Sequence, residues 1–238
     1  MFIQFGHNDE KPKPDRHTDP GSTFDDNLRK FVNETRQKGG LPVLFNAVVR
    51  RNFLLQEELN DDDEKLRNTV YTGEKKKEGQ VLVDTHGDYR IAPRNVAIET
   101  HTPFVDANKV THELEQGLGP EESKRLHMWF KPGEIPALPK GREDNTHYCV
   151  YGAYKVAGLL VDEIVRQVPA LKKYVRHFDM VVSDDGKGNY MSLQEAVDDA
   201  PVGHKTIIRI LHGEWTYPSI PKNKKIKFSV SENARLNK

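Results

Sequence analysis

Two short polar segments carry the residue types that acyl-transfer chemistry needs. In the segment Asp144-Asn145-Thr146-His147, a carboxylate and an imidazole stand three residues apart. On a tight turn the Asp can orient the imidazole and stabilise its protonated form while the His acts as a general base. Asp and Asn also cap helix starts, so the spacing alone leaves both catalysis and capping open.

The second segment, Gly6-His7-Asn8-Asp9, directly follows an apolar run that starts at Phe2. At the end of a parallel strand, an Asn side chain can donate its amide N–H to a developing oxyanion, and a Gly lets the backbone approach closely. The alternative is an ordinary Asx turn, which the spacing alone favours.

Other candidate sites are weaker. One candidate is a metal cluster formed by acidic and histidine residues, namely Asp84, His86, His101, His112 and His127. No helix pairs histidines at ligand spacing, so neither a metal nor another cofactor is expected. Trp129 could place its aromatic face against a sugar ring, although such a residue more often belongs to the core. With Cys149 as the single cysteine, no internal disulfide is expected.

Composition bears on the class of partner. The chain has 238 residues, and its 36 Lys and Arg are balanced by 36 Asp and Glu. The surplus of basic residues after Lys205 is interpreted as protection of a strand edge, because no aromatic stacking motif accompanies it. No apolar run is long enough to cross a bilayer, and the residues after Met1 do not resemble a signal peptide. Neither a nucleic acid nor a membrane is therefore expected as a partner.

The elements that must position the polar segments follow an α/β pattern. The run from Phe2 to Phe5 predicts a buried strand, and a polar loop over residues 10–22 follows it. Apolar residues at helical spacing predict a helix over about 24–38, with Ser22 or Thr23 as its cap. The apolar run over 41–49 then predicts a strand covered on both faces, as in a parallel sheet. Strand, helix and strand form the unit of a doubly wound domain.

Residues 50–90 are charged and irregular, which predicts loops that face solvent. After them the alternation of strands and helices continues. The further predicted elements are a helix around 93–100, a strand at 103–106, helices over 107–117 and 120–128, and a long amphipathic helix over 148–168. Thr146 or Asn145 is predicted to cap the long helix. Pro93 predicts a local distortion where a helix is expected.

Taken together, the polar segments resemble a known family. The segments that carry the resemblance, in chain order, are Gly6–Asp9, Thr23–Leu28, Val48–Arg51, Asp84–Gly87 and Glu143–His147. Their order resembles the SGNH/GDSL hydrolases, and within them most closely the rhamnogalacturonan acetylesterases, which remove acetyl groups from pectin. The resemblance spans residues 1 to about 175 and implies a domain over 1–176 with a three-layer, doubly wound parallel sheet of SGNH/flavodoxin-like type, N-terminally truncated.

The resemblance also implies roles for individual residues. His147 would be the general base that activates the nucleophile, and Asp144 its orienting carboxylate. Asn8 would be an oxyanion-hole donor, with Gly6 shaping the same turn. The substrate would be a pectin or rhamnogalacturonan polysaccharide, and this family is usually secreted or periplasmic.

Two further residues, His7 and Trp129, are candidates for contacts with the polysaccharide. The family's nucleophilic Ser, in a Gly-Asp-Ser motif, and a second oxyanion donor lie upstream of the segment that matches this chain. Ser22 and Ser123 are the only serines before residue 150, and neither has that context. The expectation is a chain that is inactive alone, with a complementing N-terminal segment as a possible partner. The rival hypothesis is a non-catalytic remnant that binds carbohydrate.

The C-terminal part has a resemblance of its own. The segments Met180–Val182, Asp184–Tyr190, Ser192–Val197 and Ile220–Lys225 resemble the opening of a pectin methylesterase. This implies a second domain over 177–238 that forms the first coil of a right-handed parallel β-helix. The catalytic residues of that family belong to later coils, so Asp184 and Asp185 are interpreted as turn-forming carboxylates.

Overall fold

The structure is a computed structural model that describes residues 1–55, 79–175 and 180–238. The charged runs at 61–64 and 75–77 and the start of the tail motif at Phe178-Asp179 lie outside these residues. The described residues form two compact units, each with a buried core of its own. The first unit comprises Met1–Lys124 and Gly158–Tyr174, and the second comprises Arg125–Ala157 and Val175–Lys238. The domain boundary at residue 176 stays a prediction.

The elements alternate between strands and helices along most of the chain. Up to residue 122 they are β1 (Phe2–Gln4), α1 (Thr23–Gln37), β2 (Val43–Phe45), β3 (Phe53–Leu54), β4 (Val81–Leu82), α2 (Ala92–Glu99), β5 (Phe104–Val105) and α3 (Ala107–Glu122). The remaining elements are β6 (His127–Phe130), β7 (Arg142–Tyr148), α4 (Val150–Gln167), β8 (Met180–Ser183), α5 (Leu193–Asp199), β9 (Lys205–Thr216), β10 (Lys225–Val230) and β11 (Ala234–Asn237). Short 3₁₀ turns lie at Gly87–Arg90, Ser123–Leu126 and Pro169–Tyr174.

A parallel sheet with strand order β1-β2-β5 forms the centre of the first unit. Ile3 pairs with Leu44, and Leu44 pairs with Phe104. All residues of β2 are buried, which confirms the predicted strand covered on both faces. Because parallel strands end at the same edge, the loops after β1, β2 and β5 leave the sheet side by side.

Helices cover both faces of this sheet. Leu44 packs with Leu28 and Val32 of α1 and with Val96 of α2. Its neighbours Val43 and Phe45 point to the opposite face. There they pack with side chains from the second half of α4 and the turn after it, namely Leu160, Ile164, Val168 and Leu171. The described part of the first unit is therefore a three-layer α/β arrangement around a parallel sheet, as predicted.

Several details at the helix ends differ from the prediction. Ser22 precedes α1, but its hydroxyl donates to the Asp19 carbonyl at 3.2 Å and makes no capping bond. Thr23 does not cap the helix either, because its Oγ1 accepts from the amide of Asp19, which lies before the helix, at 2.8 Å. Pro93 lies in the first turn of α2, where a missing N–H leaves no intrahelical bond unmade, so it fits the helix.

The region after α3 was also predicted incorrectly. Gly119 has φ 75° and ψ 179°, which interrupts regular helical geometry inside α3. In place of the expected helix over 120–128, a 3₁₀ turn leads into β6. Asn145 and Thr146 do not cap α4, because they lie within β7, which pairs antiparallel with β6. The helix begins only at Val150.

The C-terminal strands of the second unit are all parallel. β8, β10 and β11 each pair with β9, so β9 is the shared strand of this sheet. Val182, Ile208 and Ile210 form its core together with Leu193 and Val197 of α5. Short apolar runs at 180–182, 206–211 and 226–230 predict three of these strands, and residues 192–200 predict the short helix, and the structure confirms all four. The strand β9 is longer than its run predicts, and β11 is not predicted. No helix in residues 1–55, 79–175 and 180–238 is long and apolar enough to cross a bilayer.

Candidate active site

Asp144 and His147 of β7 form a hydrogen-bonded pair in the second unit. The distance between Asp144 Oδ2 and His147 Nδ1 is 2.9 Å. An ionised carboxylate only accepts, so Nδ1 of His147 carries the hydrogen and the lone pair of the neutral ring lies on Nε2. The His147 side chain is 66% exposed, whereas that of Asp144 is 13% exposed. A largely shielded carboxylate therefore orients an imidazole that solvent or a substrate can reach, as general-base catalysis requires.

Local hydrogen bonds hold Asp144 in its ionised form. Its Oδ1 accepts from the backbone amides of Thr146 at 2.8 Å and His147 at 2.9 Å. Its Oδ2 also accepts from the Arg142 guanidinium, at 2.6 Å from one terminal nitrogen. Burial by itself would raise the pKa of Asp144, but these hydrogen bonds outweigh it and hold the pKa well below its usual range. The carboxylate thus stays charged at any physiological pH.

The loop Gly6–Asp9 follows β1 in the first unit. Gly6 has φ +119°, a conformation that a residue with a Cβ rarely adopts. Asn8 is exposed, and its Oδ1 accepts from Lys11 Nζ at 2.7 Å. Among residues 1–55, 79–175 and 180–238, no group accepts a hydrogen bond from the side-chain nitrogen of Asn8. The amide donor that an oxyanion hole needs is therefore available at this strand end.

Asp9 closes the Gly6–Asp9 loop on itself. Its Oδ2 accepts from the Gly6 amide at 2.9 Å, and its Oδ1 accepts from Thr18 Oγ1 at 3.2 Å. The Tyr89 hydroxyl donates to the Thr18 carbonyl at 2.6 Å and contacts the Asp9 carbonyl at 3.3 Å. Burial, together with nearby carboxylates, raises the pKa of Tyr89 to about 12, so the hydroxyl remains a donor. The loop is thus fixed at both ends.

A buried charged cluster, Glu10, Arg50 and His86, lies under the same loop. The Glu10 carboxylate forms an ion pair with Arg50 and accepts from His86 Nδ1 at 3.0 Å. Arg50 donates to the His7 carbonyl at 3.2 Å and to Thr85 Oγ1 at 2.9 Å. The other ring nitrogen of His86, Nε2, is 2.9 Å from the Val48 carbonyl oxygen. Both ring nitrogens of His86 therefore contact acceptor oxygens.

The two candidates for substrate contacts lie in partly buried positions. The His7 ring packs edge-on against the His86 ring, with 4.7 Å between the centroids. Trp129 lies in β6, and its indole N–H donates to Asn145 Oδ1 at 2.8 Å. The Trp129 bond supports the hairpin that carries Asp144 and His147. Both residues stay predictions as substrate contacts.

The hydroxyl and thiol groups near these elements do not fit the role of nucleophile. Ser123 is fully buried, and its Oγ accepts from Arg51 Nε at 3.0 Å. Ser22 is tied to the loop before α1. Burial raises the pKa of the Cys149 thiol, which donates to the Arg125 carbonyl at 3.1 Å, so it remains protonated. Within the described ranges, no group of three or more His, Cys, Asp or Glu residues is placed to hold a metal ion.

Comparison with known proteins decides the family. The rhamnogalacturonan acetylesterase RhgT of Bacillus subtilis is 37% identical over 187 residues, which cover 79% of this chain and 67% of that protein. The chain belongs to the rhamnogalacturonan acetylesterases of the SGNH hydrolases. A probable rhamnogalacturonan acetylesterase of the same organism, YesY, is 26% identical over 165 residues, covering 69% of this chain and 61% of that protein.

The acetylesterase relatives are longer than the part that this chain matches. This chain spans about two thirds of the length of RhgT and about three fifths of the length of YesY. No family model matches the sequence. Among solved structures, that of the protein YXIM of Bacillus subtilis aligns with a TM-score of 0.48 and 20% identity, over 70% of this chain and 36% of that chain.

The structure adds residues to the candidate site that the sequence patterns did not indicate. Arg142 and Asp144 are two residues apart in one strand, a spacing that places both side chains on the same face, so the strand period could have revealed the pair. Glu10, Arg50 and His86 are distant in sequence and meet only through the sheet. The candidate residues fall into two groups. Gly6, His7 and Asn8 belong to the first unit, whereas Trp129, Asp144 and His147 belong to the second.

Proposed function

We propose that the chain carries the general base, its orienting carboxylate and an oxyanion donor of a carbohydrate esterase that hydrolyses acetyl esters on rhamnogalacturonan. The observation that carries this proposal is the Asp144–His147 pair, in which a largely shielded, ionised carboxylate holds an exposed imidazole. The name of the relative RhgT, a rhamnogalacturonan acetylesterase, supplies the substrate class.

The proposed reaction is a two-step acyl transfer through a serine. His147 Nε2 takes the hydroxyl proton of the nucleophile as its oxygen attacks the acetyl carbonyl, and the Asn8 amide donates to the oxyanion that forms. The protonated imidazole, stabilised by Asp144, then gives its proton to the departing sugar oxygen as the ester bond breaks. In the second step His147 activates a water, which releases acetate and restores the serine.

The nucleophile in this proposal is the Ser of a Gly-Asp-Ser segment, a motif that this sequence does not contain. The test joins such a segment from an acetylesterase relative to the start of the chain and measures aryl acetate hydrolysis. The chain alone should hydrolyse the ester negligibly, and the joined protein should be active. His147→Ala should abolish that activity, whereas His204→Ala, which removes an exposed histidine elsewhere in the second unit, should not. Robust turnover by the chain alone that survives His147→Ala contradicts the proposal.

A second candidate concerns the C-terminal segment. We propose that residues 177–238 form the first coil of a pectin methylesterase-like parallel β-helix, and the parallel pairing of β8, β10 and β11 with β9 supports this. Such a coil does not contain that family's catalytic residues, so the segment would bind a ligand or stabilise the protein and would not catalyse a reaction.

The carbohydrate-binding alternative concerns the whole chain. Saturable binding of a rhamnogalacturonan oligosaccharide that is never hydrolysed, even by the joined protein, favours this alternative.

A further inference from the structure

An open cavity of about 510 Å³ lies in the first unit at the carboxyl ends of two parallel strands. Asn46, which directly follows β2, and Asp106, which directly follows β5, both line it. A cavity of this volume can hold a sugar-sized ligand. The carboxyl ends of parallel strands are also where open α/β sheets place their ligand crevices. Size and location therefore both indicate a ligand site.

Two arginines of this cavity have no partner of opposite charge in the part of the chain that the structure describes. Arg90 is half-buried at the end of a 3₁₀ turn, and Arg94 is exposed in α2. Neither guanidinium makes a hydrogen bond or ion pair with any of residues 1–55, 79–175 and 180–238. In contrast, Arg29 of α1 donates to Glu99 at 2.9 Å and to Asp26 at 2.8 Å. Arg90 and Arg94 thus keep their donors available for a ligand.

The acidic groups of the cavity already have partners. Asp106 Oδ1 accepts from Asn46 Nδ2 at 2.8 Å and from the Lys109 amide at 3.0 Å. The Glu113 carboxylate pairs with Lys109 Nζ at 2.8 Å. His112 donates from Nε2 to the Leu82 carbonyl at 3.0 Å. The charge left over in the cavity is positive, and an anionic ligand group would balance it.

Buried hydrogen bonds fix the wall of the cavity. Asn46 is 1% exposed, and its side-chain nitrogen donates to the Arg90 carbonyl at 3.2 Å as well as to Asp106. Its side-chain oxygen accepts from the Asn108 amide at 2.8 Å. The backbone at Arg90 is therefore held to the ends of β2 and β5. Because this part of the site is already ordered, ligand binding costs little conformational entropy there.

We propose that this cavity binds the carboxylate of a uronic acid residue through Arg90 and Arg94. Planar guanidinium groups match carboxylates in charge and geometry, which makes arginine suited to this contact. The inference rests on the proposed function, because each uronic acid of a rhamnogalacturonan chain carries a carboxylate close to the acetylated positions.

The test is calorimetric titration of the chain with a galacturonate oligomer and with the same oligomer after its carboxylates are reduced to alcohols. The charged oligomer should bind more tightly, and added salt should weaken its binding. Arg90→Gln and Arg94→Gln should each weaken it by about 10-fold, as expected for loss of a charge-assisted hydrogen bond. Lys30→Gln, which removes an exposed cation from α1, should have little effect and controls for net charge. If the Arg90→Gln variant fails to fold, the Arg94→Gln variant still tests the proposal, because Arg94 is exposed.

Equal binding of the charged and reduced oligomers overturns the proposal, as does an effect of Lys30→Gln as large as that of Arg94→Gln. Competition by free acetate at the concentration of the oligomer would assign the cavity to small carboxylates and also overturn it. Ester hydrolysis is a separate readout. Binding of the charged oligomer without hydrolysis by the joined protein refutes the proposed function alone, whereas hydrolysis without charge-dependent binding refutes this inference alone.

Discussion

The Asp144 carboxylate receives hydrogen bonds from Arg142, Thr146 and His147, all within three residues of it in the chain. A contact set this local can be anticipated from sequence, because a strand or turn brings neighbours two and three residues away to one side chain. The Asp-to-His spacing therefore indicates the contact that the structure contains, and the catalytic roles of the two residues stay predictions. The sequence could not decide that the segment is a strand, since β7 is polar and its pairing with β6 is a tertiary contact.

Replacement of Asp144 should reveal its ionisation as a pH-dependent loss of stability. Its pKa is lower in the folded protein than in the unfolded chain, so its stabilisation is complete above the unfolded pKa of about 4 and declines as pH falls toward the folded pKa. Asp144→Asn should cost about 2 kcal/mol at pH 7, and the difference should shrink below pH of about 4. Urea unfolding across pH measures this. Asp15→Asn, at a side chain that is 73% exposed, is the control, and an equal pH dependence there would contradict the assignment.

Glu10 should matter more than an ordinary surface acid. Its carboxylate faces Arg50 and His86, whose side chains are 2% and 0% exposed, so neither can turn to water if Glu10 is lost. Glu10→Gln should therefore lower the free energy of unfolding by about 3 kcal/mol. Glu34→Gln, at an exposed residue 3.9 Å from Lys30, should change it by less than about 0.5 kcal/mol. Similar values for the two variants in urea unfolding would argue against a buried cluster.

At the scale of elements, the turn after β1 depends on the backbone of one glycine. Gly6→Ala forces a Cβ into a positive-φ conformation and should destabilise the protein by about 1 to 2 kcal/mol. Gly117→Ala is the matched control, because Gly117 is an exposed helical residue of α3 with no atom within 4 Å of an added Cβ. It should stabilise by about 0.5 to 1 kcal/mol. Chemical denaturation gives both values, and the same sign for both would refute this account of Gly6.

The elements that the sequence predicted well are those whose pattern is set by burial. β2 is buried on both faces and reads as a continuous apolar run, and α1 buries one stripe and repeats at helical spacing. The errors fall where a local signal competes with tertiary structure. Gly119 and Pro120 interrupt α3, and β6 then replaces a predicted helix because β7 offers it a partner.

At the scale of the whole molecule, the long helix α4 was predicted correctly, but not what it packs against. An amphipathic stripe shows that a face is buried without naming the surface that covers it. In the second unit, Tyr151 and Tyr154 contact the ring of Tyr190, at centroid distances of 5.8 and 5.9 Å. Residues from the matched acetylesterase segment and from the C-terminal segment therefore share one core.

Tyr190→Ala should consequently affect both segments. The side chain is 1% exposed, so its loss should cost about 3 to 5 kcal/mol. Hydrogen exchange should show lost protection in β8 and β9 and also in the first two turns of α4. Tyr174→Ala, at a residue that is 68% exposed, should change stability by less than about 0.5 kcal/mol. Lost protection confined to the C-terminal strands would contradict a shared core.

The Glu10, Arg50 and His86 cluster also constrains how this chain can change through evolution. Loss of Glu10 removes the carboxylate that faces Arg50 and His86, and loss of either partner removes one of its contacts, while a joint replacement by apolar residues of similar volume removes all of these polar contacts together. The three positions should therefore show strong epistasis, with single substitutions depleted and selected combinations tolerated. Each one-step path between such combinations passes through a destabilised intermediate, so we expect the trio to be inherited as a block.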